Sequence, residues 1–181
     1  MGFMISESGI ANDLYKMFHV LFGGLKGGLA IGTMFMMVAI SAMNGLSVAG
    51  MAIGATIALP EMLKRNYDKR MITGVVQAGS SLGILIPPSV VMVLYGMIAR
   101  QPVSKLWMAG ILPGLLMATL FLIYIYVRCR LQPELGPPLK KSERNYTTAE
   151  KFKLLKAGII PFMIFFLMTG LFLMGIASLV E

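Results

Sequence analysis

Between Ile72 and Ala99 the chain carries no charged residue, yet the middle of this run reads "GSSLGILIPPSV", Gly79 to Val90. The run is long enough to cross a bilayer, whose apolar core takes about 20 helical residues. Proline has no N–H and clashes with the turn before it. In lipid, each backbone group freed this way is expensive. One uninterrupted lipid-facing helix is therefore excluded, and the gap must be enclosed by protein or put to use.

The residue before a proline is pushed out of the helical region, so Ile86 and Pro87 are expected to be extended. Carbonyls between Gly83 and Pro88 then lose their helical partners and point sideways. Unwound carbonyls at mid-membrane bind Na⁺ in broken transporter helices. Ser89 falls at the expected N-cap of the second half-helix, where exposed amides favour an anion. One break thus offers a cation site and an anion site side by side. On this segment alone, a proline kink with carbonyls satisfied by water or neighbours remains open.

Composition sets the medium. The chain is 57% hydrophobic and 13% charged, against about a quarter charged in a soluble domain. It reads as an all-α integral membrane protein in a lipid bilayer. The net charge of +8 comes from basic residues gathered between apolar runs, which fits loop orientation rather than nucleic acid. Cys129 is the only cysteine, so no internal disulfide forms. The first residues lack a basic segment followed by an apolar core, so no cleavable signal peptide is read there. Both ends break off inside apolar patterns, and a fragment of a longer protein is expected.

Residues 1–26 read as the end of a membrane or scaffold segment and an interfacial arm, with a polar patch at Glu7, Asn12, Asp13 and Lys16. Residues 27–60 hold two apolar runs separated by "NGLSVAG". The second run, Val48 to Leu59, makes about 18 Å of helix at 1.5 Å per residue, too short to cross. Residues 27–60 are therefore expected to form a re-entrant helical hairpin with its tip at Asn44 to Ser47. Two ordinary spans are the alternative. A basic loop follows at 61–71, then the unwound transmembrane helix at 72–99 and a short connection at 100–105. A span at 106–127, a second basic loop at 128–156 and a last span at 157–180 complete the chain. Thr147 or Thr148 is expected to cap a short helix within that second loop. By the positive-inside rule both basic loops face the cytoplasm.

The tip is the second break. Asn44 and Ser47 carry oxygens suited to a hard cation, although Asn-Gly is also an ordinary turn signal. Paired discontinuities are the best sequence pointer to a transporter binding site. Ser80, Ser81 and Ser89 are the small polar residues that could meet a substrate. Glycines at spacing four (Gly28/Gly32, Gly50/Gly54, Gly110/Gly114) predict close helix packing. Trp107 is expected as an interfacial anchor, and His19 and Cys129 as structural residues. The spans hold no acidic residue, which speaks against a carboxylate proton relay. There is no P-loop, nucleophile elbow or His/Cys metal cluster, so an enzyme is not expected.

The strings "ALPEML", "LGILIPPS" and "AGILPG", in this order, resemble the large membrane subunit of tripartite ATP-independent periplasmic (TRAP) transporters. The likeness runs over nearly the whole chain and covers about the first half of such a subunit. It implies one half of an inverted-repeat transporter fold in a bacterial inner membrane, with the remaining half of the subunit as a partner. It also implies Na⁺-coupled uptake of organic acids of the C4-dicarboxylate or sugar-acid type, with a periplasmic substrate-binding protein and a small membrane subunit. Transport in the family is elevator-like, the hairpin-bearing domain moving against a scaffold. The sodium ligands carried over by the resemblance are Asn44, Ser47, Gly83, Ile86 and Pro88. The family tip is usually Ser-Gly-Ser-Ser, whereas residues 44–47 here are Asn-Gly-Leu-Ser, and Leu46 offers no oxygen. Other readings are a truncated membrane protein with a structural or assembly role, and another Na⁺/carboxylate carrier of similar hairpin architecture.

Overall fold

The computed structural model describes residues 10–137 together with Met163, Leu167, Gly170 and Leu171; for residues 10–13 and His19 this covers the backbone alone. Every regular element among them is helical. Helix α1 (Ile10–Phe22) is followed by a tight turn and α2 (Gly28–Asn44). Helix α3 (Ser47–Ile53) runs through a π-helical segment (Gly54–Ala58) into α4 (Leu59–Lys64). Helix α5 (Lys69–Ser81) leads into a 3-10 turn (Leu82–Ile84). After an irregular stretch come α6 (Val90–Ala99), α7 (Val103–Leu131) and a last 3-10 turn (Pro133–Leu135).

Helix α2 is the centre of the bundle. Its mean apolarity is high all round, and it is buried on nearly every face, with Met34, Met36, Met37 and Ile40 at 1% exposure or less. A helix apolar on all sides belongs in a core or a membrane. Phe35 reaches back to α1, stacking on Phe18 and Phe22 at ring-centroid distances of 5.8 and 5.2 Å. Gly54 lies against Met37, and Thr33 Oγ1 reaches Met62 Sδ at 3.6 Å. Those pairings make α2 and the α3–α4 arm an antiparallel hairpin. Gly79 packs on Met37 and Gly83 on Ser41. A step of four on α2 thus matches a step of four from α5 into its 3-10 turn, so α5 runs parallel to α2.

The second arm is longer than the sequence reading. The apolar run stops at Leu59, but the helical pieces of 7, 5 and 6 residues run on without interruption through Pro60 to Lys64. In an α-helix the Pro60 ring would strike the carbonyl of Thr56. The π segment widens the turn there, and the Leu59 N–H bonds five residues back to Gly54 O. The arm is then on the order of 27 Å long, so its length no longer argues for a re-entrant hairpin over two spans.

Helix α7, at 29 residues, is the one described helix long and apolar enough to cross a membrane. It extends beyond the expected 106–127 at both ends. Leu112, Leu115, Leu116 and Leu120 leave more than half of their surface open, which suits a lipid-facing side. Its Gly110 and Gly114 face the broken segment: a Cβ on Gly110 would lie 2.7 Å from Leu85 O, and one on Gly114 3.1 Å from Ile86 Cγ1. The spacing-four glycines thus serve packing inside the chain. Past α7 the chain straps across two loops, with Gly27 N–H donating to Gly136 O at 2.9 Å and Asp68 N–H to Leu135 O at 3.3 Å. Cys129 is buried beside Gly27 in this junction. The capping expected at Thr147 or Thr148 lies outside the described residues, as does the last span apart from the four positions named above.

Candidate functional site

The site is built where the two breaks meet. At the first, α2 ends at Asn44 and Gly45 turns the chain with φ 66°, ψ 8°. That left-handed conformation costs an L-residue roughly 1–2 kcal/mol, which accounts for glycine. The turn closes on itself: Gly45 N–H donates to Ser41 O at 2.8 Å, and Asn44 Nδ2 donates to Ile40 O at 2.8 Å. Leu46 is the N-cap of α3, extended and 43% exposed, and provides no side-chain cap. Ser47 is half-buried in the first turn of α3.

The second break is chemically different. Leu85 and Ile86 both donate their N–H groups to Leu82 O, at 3.0 and 2.9 Å. The helical partner of Gly83 O would be the N–H of residue 87, and that of Ile84 O the N–H of residue 88. Both are prolines and have none. Nor does a 3-10 pattern help, since Ile86 N–H is spent on Leu82 and Ile84 would again need Pro87. Two carbonyls are thus stripped of their helical donors by sequence alone. The Pro87–Pro88 peptide is cis. Helix α6 then starts at Ser89, whose Oγ accepts Met92 N–H at 3.3 Å as an N-cap.

The tip docks on this gap. Val90 N–H, a donor in the first turn of α6, is taken by Gly45 O at 3.2 Å. A Cβ on Gly45 would stand 2.7 Å from Pro88 O. At Ser41, four residues before Gly45, Gly83 sits so close that a Cβ on it would overlap the Ser41 side chain and carbonyl. Ser41 Oγ is fully buried, turned toward Gly50 of α3, and has no hydrogen-bond partner among the described residues.

The structure therefore joins Gly45 to Pro88 and Val90, and Ser41 to Gly83, with Asn44 and Ser47 flanking the tip. Ile86 packs toward α7 through Gly114. Of the three serines, Ser89 is buried at the cap, and Ser80 is buried with its hydroxyl turned into its own helix, toward Val76 O at 2.7 Å and Gln77 O at 3.1 Å. Ser81 bonds back to Ala78 O at 2.8 Å. Trp107 is a correction. It is 3% exposed and donates its Nε1 to Ser89 O at 3.3 Å, because the indole N–H finds a carbonyl at the break rather than water at an interface. Ser41 was missed, since only the register between α2 and α5 brings it to Gly83. A local signal was present in Gly79 and Gly83, which are themselves four apart. Among the described residues no three His, Cys, Asp or Glu side chains gather to hold a metal. The oxygens at the crossing are neutral carbonyls, hydroxyls and an amide, a donor set that suits a hard cation of low charge.

A helix long and apolar enough to cross a membrane, beside two mutually docked helix breaks, fits the discontinuous helices from which transporters build their sites. The model of the tripartite ATP-independent periplasmic transporter DctM component matches residues 1–181, and the chain belongs to that family. It is 34% identical, over 72% of its length, to the C4-dicarboxylate TRAP transporter large permease protein DctM of Pseudomonas aeruginosa, of which it covers 31%. The ectoine TRAP transporter large permease protein TeaC of Halomonas elongata is 30% identical over 83% of this chain and 34% of that protein. The isethionate TRAP transporter permease protein DctMQ of Oleidesulfovibrio alaskensis is 32% identical over 69% of this chain and 20% of that protein. The chain thus spans between 20% and 34% of the length of these curated relatives.

Proposed function

We propose that this chain is part of the large subunit of a Na⁺-coupled symporter that takes up organic acids across a bacterial inner membrane. The observation that carries this is the docking of the Gly45 tip onto Pro88 and Val90, beside carbonyls that the two prolines deprive of donors. In this reading Na⁺ is held by the carbonyls of Gly83, Ile86 and Pro88, with Asn44 and Ser47 supplying oxygens from the tip. The substrate carboxylate lies by the start of α6, near Ser80, Ser81 and Ser89. Anionic groups are favoured there by the helix N-terminus.

The hairpin is re-entrant, its tip stopping at mid-membrane against the gap. The rest of the large subunit supplies an inverted second half and the facing wall of the site. A small membrane subunit and a periplasmic substrate-binding protein complete the assembly. The relatives' names cover C4-dicarboxylate, isethionate and ectoine, which supports the class of small organic solutes and leaves the particular one to the binding protein.

The test is uptake by the complete subunit with its partners in vesicles, driven by an imposed Na⁺ gradient. Ser47→Ala and Pro88→Leu should each raise the Na⁺ concentration needed for half-maximal uptake. Uptake in both variants with an unchanged Na⁺ requirement would sink the assignment.

A further inference from the structure

A cavity of about 770 Å³ opens between α5 and α7, away from the two breaks. These helices run in opposite directions, so Arg70 in the first turn of α5 and Arg128 in the last turn of α7 share one end of it. That is the end strapped by residues 132–136. Deeper in, the walls become apolar, with Val75 on one side and Leu120 and Phe121 on the other. Gly74 forms part of the wall, and a Cβ there would meet nothing within 4 Å.

Among the described residues the charged end is not neutralised from within. Asp68 also lines the cavity, but its Oδ1 accepts the amides of Arg70 and Met71 at 2.9 and 3.1 Å and so caps α5. The ion pairs among the described residues join Glu61 to Lys64 and Arg65 and leave Arg70 and Arg128 out. Two exposed guanidiniums therefore face one carboxylate already engaged by backbone donors. Guanidinium matches phosphate oxygens with paired donors. An apolar channel leading from such a pair into the membrane has the polarity of a phospholipid, headgroup outward and chain inward.

We propose that the α5–α7 groove holds one anionic phospholipid, its phosphate between Arg70 and Arg128 and an acyl chain along Gly74, Val75 and Phe121. The inference rests on α7 lying in a membrane and not on the coupling ion. Basic residues at the end of a membrane helix are where the anionic headgroups of the inner leaflet would meet the protein.

Native mass spectrometry of the detergent-purified full-length large subunit, offered equal amounts of phosphatidylglycerol and phosphatidylcholine of matched chains, tests it. The expected result is one retained phosphatidylglycerol, favoured at least tenfold, with the preference lost in the R70Q/R128Q double variant. Equal retention of the two lipids, or a preference unchanged in that variant, overturns the proposal. Displacement by soluble glycerol phosphate at matched concentration also overturns it, because the site would then be one for free phosphate. Gly74→Leu should expel the lipid with the thermal midpoint kept. A fall in midpoint with the lipid retained would mean that protein fills the groove, and refutes the proposal as well.

Discussion

The tip at Gly45 and the gap at residues 85–89 both interrupt helices, but they leave opposite things behind. At the tip one left-handed glycine suffices, and its N–H and the Asn44 amide both return to carbonyls of the turn just finished. At the gap two prolines remove the donors that Gly83 and Ile84 would have used. The tip is a closed turn with a shape, and the gap is an open turn with spare acceptors. In the proposed reading the gap therefore supplies most of the carbonyl oxygens for the ion, while the tip closes over it and adds the oxygens of Asn44 and Ser47. This also explains how Leu46 is tolerated at the tip. It stands outward as the N-cap of α3, and the docking contact is made by the backbone of Gly45.

The division is open to direct attack, and the largest effect should come from the crossing itself. Gly83→Leu forces a side chain into Ser41 and its backbone, and overpacking costs 1–3 kcal/mol or more. We expect a loss of about 3 kcal/mol in detergent unfolding, or no folded protein at all. A variant of near wild-type stability would show that the gap is looser than described. Gly45→Ala should lose about 2 kcal/mol by the same measurement, combining the left-handed backbone with the approach to Pro88 O. If it is neutral, the tip is not seated on the gap.

A subtler pair separates acceptors from shape. Pro87→Ala returns an N–H within reach of Gly83 O and should raise the half-saturating Na⁺ concentration of the complete transporter about tenfold, or roughly 1.4 kcal/mol. Leu46→Ser should move it less than about twofold. The reverse ranking would put the ion on the tip. The smallest effect is expected far from both breaks, at Glu61. Burial pushes its carboxyl up, but the hydrogen bond and charge of Arg65 and the charge of Lys64 outweigh this and hold it below its ordinary value. A carboxyl lowered on folding stabilises where it is ionised, and that stability is lost as pH falls through the acidic range. Its side chain is 35% exposed, so solvent screening limits the gain to about 0.5 kcal/mol. Glu61→Gln should lower the thermal midpoint slightly at pH 7 and progressively less as the pH falls through the acidic range; a shift that does not shrink would remove the charge from the account.

What could be read from the chain follows from how local each cause is. The gap was legible because a missing N–H at Pro87 and Pro88 is written in the sequence. Ser89 as a cap and Gly45 as a turn were legible for the same reason. The length of the second arm was not, because the apolar run stops at Leu59 and the π segment that absorbs Pro60 depends on how Gly54–Ala58 packs beside α2. Trp107 was misplaced because its hydrogen bond to Ser89 crosses between helices. Ser41 carries no mark of its own, and its position opposite Gly83 is a matter of register between two parallel helices.

The strap beyond α7 has a consequence in time. Gly27 N–H finds its partner at Gly136, and Asp68 N–H at Leu135. A ribosome adds about 5–20 residues per second, so on the order of 5–20 s separate the synthesis of Gly27 from that of the carbonyl that secures it. Throughout that interval the base of the hairpin is unlatched while its apolar arms already need shelter. The newborn hairpin must be guarded by the insertion machinery, or by its own fit to α5, until Leu135 and Gly136, beyond the end of α7, arrive to fasten it.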